Sequence, residues 1–121
     1  MNAFGLPRKT DPEKAAREQA IQDATKYAIE VPLKVMKLCY ESMEVMKAMA
    51  ETGNPNSASD AGVGAIAARS GVLGAFLNIK TNSASFKDKD FVYQVLSQGK
   101  EIEQKAILLE KEILEIVESK I

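Results

Sequence analysis

Apolar residues recur at intervals of three and four along most of the chain, which is the period of an amphipathic α-helix. The first such stretch begins at Thr10-x-x-Glu13, which has the form of a capping box. Pro32 interrupts the pattern, because proline removes a backbone donor and crowds the preceding turn. We therefore expect the helix to kink or break between residues 29 and 33.

The same periodicity continues after Pro32 as far as Ala50. Its apolar face is rich in methionine, which we expect to fill the core, and a methionine-lined binding groove is the alternative. Residues 52–56, Thr-Gly-Asn-Pro-Asn, are dense in turn formers and must end this helix.

The next helix is predicted to begin near Asp60 and to end near Asn82, with Ser57-x-x-Asp60 as its capping box. Arg69 is the only charged residue from 61 to 79, so a transmembrane segment is one interpretation. Its central arginine and many small residues favour a helix buried in a bundle or between subunits. Four small residues should form a smooth face that another helix can approach closely: Gly64, Ala68, Gly71 and Ala75.

A loop at residues 83–87 precedes a final long helix, predicted from about Asp88 to the end of the chain. Its apolar residues repeat every seven positions at Val95, Ile102, Leu109 and Ile116. Strand-period alternation is absent from the sequence. The pattern therefore predicts an all-α fold, a bundle of three to five helices around the buried Gly/Ala-rich helix.

Composition narrows the classes of function. The 121 residues fit one domain, and a net charge of -1 from 16 basic and 17 acidic residues provides no basic surface for nucleic acid. A lone cysteine, Cys39, and no recognisable signal peptide indicate the cytoplasm. Histidine is absent, which excludes Ser-His-Asp, Cys-His and His-ligated zinc chemistry within this chain.

Three segments carry a resemblance to a known family. They are Gly-Asn-Pro-Asn-Ser-Ala-Ser-Asp-Ala-Gly-Val at 53–63, Ala-Ala-Arg at 67–69 and Gly-Ala-Phe-Leu-Asn-Ile-Lys-Thr-Asn at 74–82. Together with residues 28–33 and 87–92 they resemble the formiminotetrahydrofolate cyclodeaminase and methenyltetrahydrofolate cyclohydrolase family. Members normally begin with further helices bearing a Pro-Gly-Gly-Gly segment, which has no counterpart here. We therefore expect residues 1–121 to form a single domain equivalent to the C-terminal two-thirds of the family's domain.

The resemblance implies a folate-dependent one-carbon reaction. This is closure of 5-formimino-tetrahydrofolate with loss of ammonia, or hydrolysis of 5,10-methenyl-tetrahydrofolate to the 10-formyl form. Such chemistry needs a carboxylate to move a proton or to stabilise the cation, and it needs no metal and no cofactor beyond the folate substrate.

Asp60 is the candidate catalytic carboxylate, and its alternative role is a helix cap that offsets the helix dipole. Asn56, Ser57 and Ser59 lie beside it in sequence and are candidate substrate contacts, or turn and cap residues. Arg69 is a candidate for binding the glutamate tail of folate, with an internal ion pair as the alternative. Lys80 is a weaker candidate for the same role.

Asn78 and Asn82 share a helix face and are candidate contacts for an amide-rich heterocycle, with C-terminal capping as the alternative. Eighteen residues at about 1.5 Å each separate Asp60 from Asn78 by roughly 27 Å along one helix. Both can contact one ligand only if two chains pair, so we expect a homodimer or higher homo-oligomer in which the small-residue faces pack antiparallel. The alternative function is a non-catalytic helical dimerisation protein derived from the same family.

Overall fold

The computed structural model describes residues 2–121 and contains three long α-helices. Helix α1 spans Asp11–Thr52, α2 spans Ala58–Ser83 and α3 spans Lys89–Glu118. Helix α2 runs antiparallel to both α1 and α3, which also pack against each other. Short 3₁₀ turns occupy Ala3–Gly5 and Pro55–Ser57, and no strand occurs among the described residues. The prediction of an all-α bundle is confirmed, with three long helices.

The core of the bundle follows seven-residue spacing. In α1 it consists of Ile29, Met36, Met43 and Ala50, each at most 1% exposed. Of the heptad predicted in α3, Val95 is buried, whereas Ile102, Leu109 and Ile116 are half-buried at the edge of the core. Ala106 and Ile113, each four residues further along, are fully buried. Burying a side chain the size of methionine or isoleucine stabilises a fold by about 1.5–3 kcal/mol. Met36 and Met43 therefore fill the core as expected, whereas Met46 is half-buried and Met49 is 56% exposed.

Helix α1 is continuous through Pro32, and the expectation of a break there is wrong. Proline at position 32 has no N–H to donate to the carbonyl of Ala28, four residues earlier. The side chain of Asn82 in α2 supplies that missing donor, since its Nδ2 lies 3.0 Å from the Ala28 oxygen. A side chain distant in sequence thus satisfies the carbonyl that Pro32 leaves free.

The helix starts are only partly as predicted. The capping box at Thr10 and Glu13 is present, with both of its side-chain hydrogen bonds formed. The capping box predicted at Ser57 is wrong, because the Ser57 side chain makes no capping hydrogen bond. The chain instead enters α2 through a 3₁₀ turn, in which the Asn54 side chain accepts the N–H of Asn56. That turn gives the backbone N–H of Asn56 a hydrogen-bond acceptor before α2 begins.

The small-residue face of α2 packs against α1 of the same chain. A Cβ at Gly64 would lie 3.0 Å from Met46 Sδ, and one at Gly71 would lie 2.8 Å from Cys39 Sγ. This corrects the expectation that this face pairs with a second copy of α2, because α1 already occupies it. The glycines are needed for the close approach of α1 and α2.

Helix α2 is not buried on all sides, contrary to expectation. Ten of its residues are buried in the bundle, but Val63 and Leu77 project outward and are 66% and 63% exposed. The segment Pro55–Ser83 is long and apolar enough to cross a membrane by length and composition. In this fold its inner faces are instead occupied by α1 and α3.

Candidate functional site

The seam between α1 and α2 opens into a cleft of about 600 Å³, which we call the amide cleft. Helix α1 lines it with an aromatic ring and apolar side chains, and α2 contributes small residues and two amides. Its main lining residues are Tyr27, Val31, Pro32, Val35, Gly71, Ala75, Asn78 and Asn82. Ligand sites are commonly apolar clefts of this size with a few polar groups that fix orientation. The cleft therefore suits a flat heterocycle with hydrogen-bonding edges.

The two predicted amides have different roles within this cleft. Asn82 is half-buried, and its Nδ2 is already bonded to the Ala28 carbonyl, so its interpretation as a C-terminal cap of α2 is wrong. Asn78 is exposed, and its side chain makes no hydrogen bond to another described residue. Asn78 is thus the amide with its full hydrogen-bonding capacity available to a ligand.

Asp60 lies in a second cleft at the opposite end of α2, which we call the acid cleft. Its volume is about 250 Å³, and Met46, Met49, Asn54 and Ser57 are among the residues that line it. Asp60 is exposed in the first turn of α2, a position where a carboxylate also complements the helix dipole. Asn56 and Ser59 are exposed nearby but do not line this cleft.

Four of the predicted site residues are therefore divided between two clefts, Asp60 and Ser57 in one and Asn78 and Asn82 in the other. Eighteen residues of helix, about 27 Å, separate Asp60 from Asn78. As the length argument anticipated, they do not form one site within this chain. Any shared ligand needs a second chain.

Comparisons with known proteins identify the family. Residues 1–101 match the family described as formiminotransferase-cyclodeaminase. The chain belongs to this family.

Two relatives show how much of a family member the chain represents. It is 40% identical to a methenyltetrahydrofolate cyclohydrolase of Methylorubrum extorquens over all 121 residues, which span 58% of that protein. It is 33% identical to a formimidoyltransferase-cyclodeaminase of Dictyostelium discoideum, aligning 98% of the chain to 22% of that protein. The chain thus spans a little over half of one relative and about a fifth of the other.

Arg69 and Lys80, the two candidates for a folate tail, are engaged elsewhere in this family member. Arg69 Nε donates to Glu110 Oε2 of α3 at 2.7 Å, so the internal ion pair is the correct interpretation. Lys80 Nζ lies 4.2 Å from the centre of the Phe76 ring. Neither residue lines either cleft.

Sequence reasoning missed the apolar wall of the amide cleft. Tyr27, which nothing in the sequence pattern singled out as a site residue, is 70% exposed at the rim of the cleft. Val31 and Val35 also line the cleft from α1. The signal that identifies them is a second apolar line along α1, offset from the buried heptad.

The described residues contain no cluster of three or more Asp, Glu, Cys or His side chains that could hold a metal ion. The charged groups with displaced pKa values also lie outside both clefts. The hydrogen bond from Lys87 lowers the pKa of Glu18, and the hydrogen bond to Glu112 raises the pKa of Lys47. Both belong to surface ion pairs that connect elements of the bundle.

Proposed function

We propose that this chain is part of a folate-dependent one-carbon enzyme acting on 5,10-methenyl-tetrahydrofolate or 5-formimino-tetrahydrofolate. The observation that carries the proposal is the 40% identity, over the whole chain, to a protein named methenyltetrahydrofolate cyclohydrolase. We therefore put hydrolysis first: water adds to the methenyl carbon, its bond to N5 breaks, and N10 retains the formyl group. Cyclodeamination, with release of ammonia, is the related alternative.

The amide cleft supports a folate ligand by its shape and chemistry. Tyr27 and the valines of α1 offer apolar and aromatic surface to a pterin ring. Asn78 offers both a donor and an acceptor, which match the alternating donors and acceptors of a pterin edge.

Asp60 is the proposed catalytic group. A carboxylate there would accept a proton from the attacking water and stabilise the positive charge of the methenyl carbon. Asn56, Ser57 and Ser59 are proposed to contact substrate beside it. We further propose a cytoplasmic homo-oligomer that uses no metal and no cofactor besides the folate substrate.

The test is hydrolysis of 5,10-methenyl-tetrahydrofolate by the purified chain, followed as loss of the methenyl chromophore. Asp60→Asn is expected to lower kcat by about 100-fold or more, because general acid–base groups contribute about 10²–10⁴-fold. Asp90→Asn is the matched control, since Asp90 is also an exposed acid in the first turn of a helix. Its activity should equal that of the unmodified chain.

Two results would count against the proposal in different ways. Equal activity of the Asp60→Asn and unmodified chains would remove Asp60 from the mechanism. Absence of both turnover and folate binding in the unmodified chain would favour the non-catalytic assembly protein, for which the exposed apolar residues of α1 and α2 are the supporting observation.

A further inference from the structure

Pro32 leaves one backbone carbonyl of α1 without its helical donor, and that carbonyl fixes the orientation of a side chain in the amide cleft. A carbonyl oxygen can only accept a hydrogen bond, so the end of the Asn82 amide that faces Ala28 must be its nitrogen. Asn82 Nδ2 lies 3.0 Å from the Ala28 oxygen. Turning the amide around would bring two oxygen acceptors together. The donor end of Asn82 is therefore committed to the backbone of α1.

The opposite end of the same amide, Oδ1, is left free. It accepts no hydrogen bond from another described residue. In the described part of the chain, the buried side-chain polar atom without a partner is Ser83 Oγ, so Asn82 Oδ1 is accessible from outside the bundle. Asn82 and Ala28 line both the amide cleft and an adjoining cavity of about 350 Å³. Oδ1 is thus a fixed acceptor where these two spaces meet.

Asn78, one helical turn away, is a different kind of amide. It is exposed and makes no side-chain hydrogen bond to another described residue, so it can turn either its donor or its acceptor toward a ligand. Four residues of α-helix place the two amides about 6 Å apart along α2. The cleft therefore combines one amide that adapts to a ligand with one that does not.

We propose that Asn82 is the specificity-determining residue of the amide cleft and that Pro32 is its positioning residue. A ligand must place a hydrogen-bond donor against Asn82 Oδ1, because the amide cannot turn to donate without losing its bond to Ala28. A 2-amino-4-oxopyrimidine ring fits this requirement, since its amino group and its neighbouring ring N–H are adjacent donors and Oδ1 can accept two hydrogen bonds. The choice of a pterin as this ring rests on the proposed function, whereas the fixed orientation of Asn82 does not.

The same geometry rejects a close analogue of the ligand. In 2,4-dioxopteridine an oxygen replaces the amino group of 2-amino-4-oxopteridine, so an acceptor would face Asn82 Oδ1. A site built to hydrogen-bond an N–H of its ligand rejects an analogue that lacks it, because the polar group of the site is left unpaired. We expect the amino compound to bind about 10- to 100-fold more tightly than the dioxo compound.

The ratio of these two affinities, measured by titration calorimetry on the full chain, tests the role of Pro32. In Pro32→Ala the new N–H can bond the Ala28 carbonyl, so the Asn82 amide is free to turn and the preference should fall to about threefold or less. Pro12→Ala is the matched control, because Pro12 lies in the first turn of α1, where its missing N–H has no helical acceptor. A role of Pro32 in stability alone would change both affinities equally and leave their ratio unchanged.

Nuclear magnetic resonance gives a second readout that needs no ligand. A side-chain N–H of Asn82 should exchange with water more slowly than the side-chain N–H groups of Asn78, because only the former is bonded to a carbonyl. This difference should be lost in Pro32→Ala and kept in Pro12→Ala. Asn82→Ala and Asn78→Ala assign the two pairs of resonances.

The proposal would be overturned by an equal preference in Pro32→Ala and the unmodified chain, by a preference that Pro12→Ala also loses, or by no binding of either compound. Turnover separates this result from the proposed function. A chain that shows the preference but does not hydrolyse 5,10-methenyl-tetrahydrofolate contradicts only the proposed function. A chain that hydrolyses it but binds both compounds equally contradicts only the roles of Asn82 and Pro32.

Discussion

The two long sides of α2 are packed by different kinds of contact. On the α3 side, Phe76 lies directly against Gly99, and Val117 lies close to Gly62. On the α1 side, the helices approach closely at glycine, but beyond that contact the surface opens into the two clefts. One side is closed by interlocking side chains, and the other leaves apolar and amide groups exposed.

The difference shows how the same helix serves two purposes. The α3 side gains its stability from close packing, which tolerates little change in volume. The α1 side keeps the helices together through small residues and a few polar bonds, so larger side chains remain free for contacts outside the bundle. We therefore expect substitutions on the two sides to affect different properties.

The largest expected effect is on the α3 side, where Gly99→Ala should destabilise the fold by about 1–3 kcal/mol. The new Cβ would lie 2.5 Å from Cε1 of Phe76, a residue that is only 2% exposed. Urea denaturation measures this loss. The control is Gly74→Ala, where the new Cβ meets nothing within 4 Å and alanine should stabilise α2 by about 0.5–1 kcal/mol. Equal stability of the two variants would contradict the packing difference.

A smaller effect is expected on the α1 side from Asn82→Ala, which should cost about 1–2 kcal/mol by leaving the Ala28 carbonyl unpaired. Pro32→Ala restores an N–H to the same carbonyl, so the loss should shrink when both changes are combined. A double-mutant cycle in urea measures this coupling. Asn78→Ala is the control, and it is expected to leave stability unchanged and to weaken folate binding. If the effects of Pro32→Ala and Asn82→Ala on the free energy of unfolding are simply additive, the coupling is disproved.

The smallest effect concerns pH and the attachment of the first turns of α1. Lys87 lowers the pKa of Glu18 below its ordinary value of 4.5, so this pair stabilises the folded chain above that value. The contribution is lost as the pH falls through the lowered pKa. Hydrogen exchange at decreasing pH should show the start of α1 losing protection before the α2–α3 seam does. In Glu18→Gln that part of the pH dependence should vanish, and an unchanged profile would exclude the pair as its cause.

Local signals in the sequence identified the helices well. The capping box at Thr10 and the three- and four-residue spacing of apolar residues depend on neighbours within one or two turns, so they are visible in the sequence alone. The continuity of α1 at Pro32 was not visible in the sequence, because the side chain that supplies the missing donor, Asn82, is 50 residues away. The packing of Gly64 and Gly71 was also misassigned, since a small-residue face indicates that some helix approaches but not which one.

The candidate site could be predicted only as a set of residue types. Asp60 and Asn78 were predicted as site residues from their types and positions, and both are exposed on α2. Which cleft each of them lines depends on where α1 lies. Arg69 could not be assigned from sequence, because its partner Glu110 belongs to another helix. Contacts between helices, rather than the helices themselves, were the part that local pattern left undetermined.

The bond between Asn82 and the Ala28 carbonyl also determines how α1 and α2 are aligned. A core that repeats every seven residues, as Ile29, Met36, Met43 and Ala50 do, would look nearly the same after α1 slid along α2 by two turns. Such slipped arrangements would bury similar apolar surface, but they would leave the free carbonyl at Pro32 without a donor. Pro32, which would weaken an isolated helix, therefore favours one alignment of α1 along α2 over others that bury similar apolar surface.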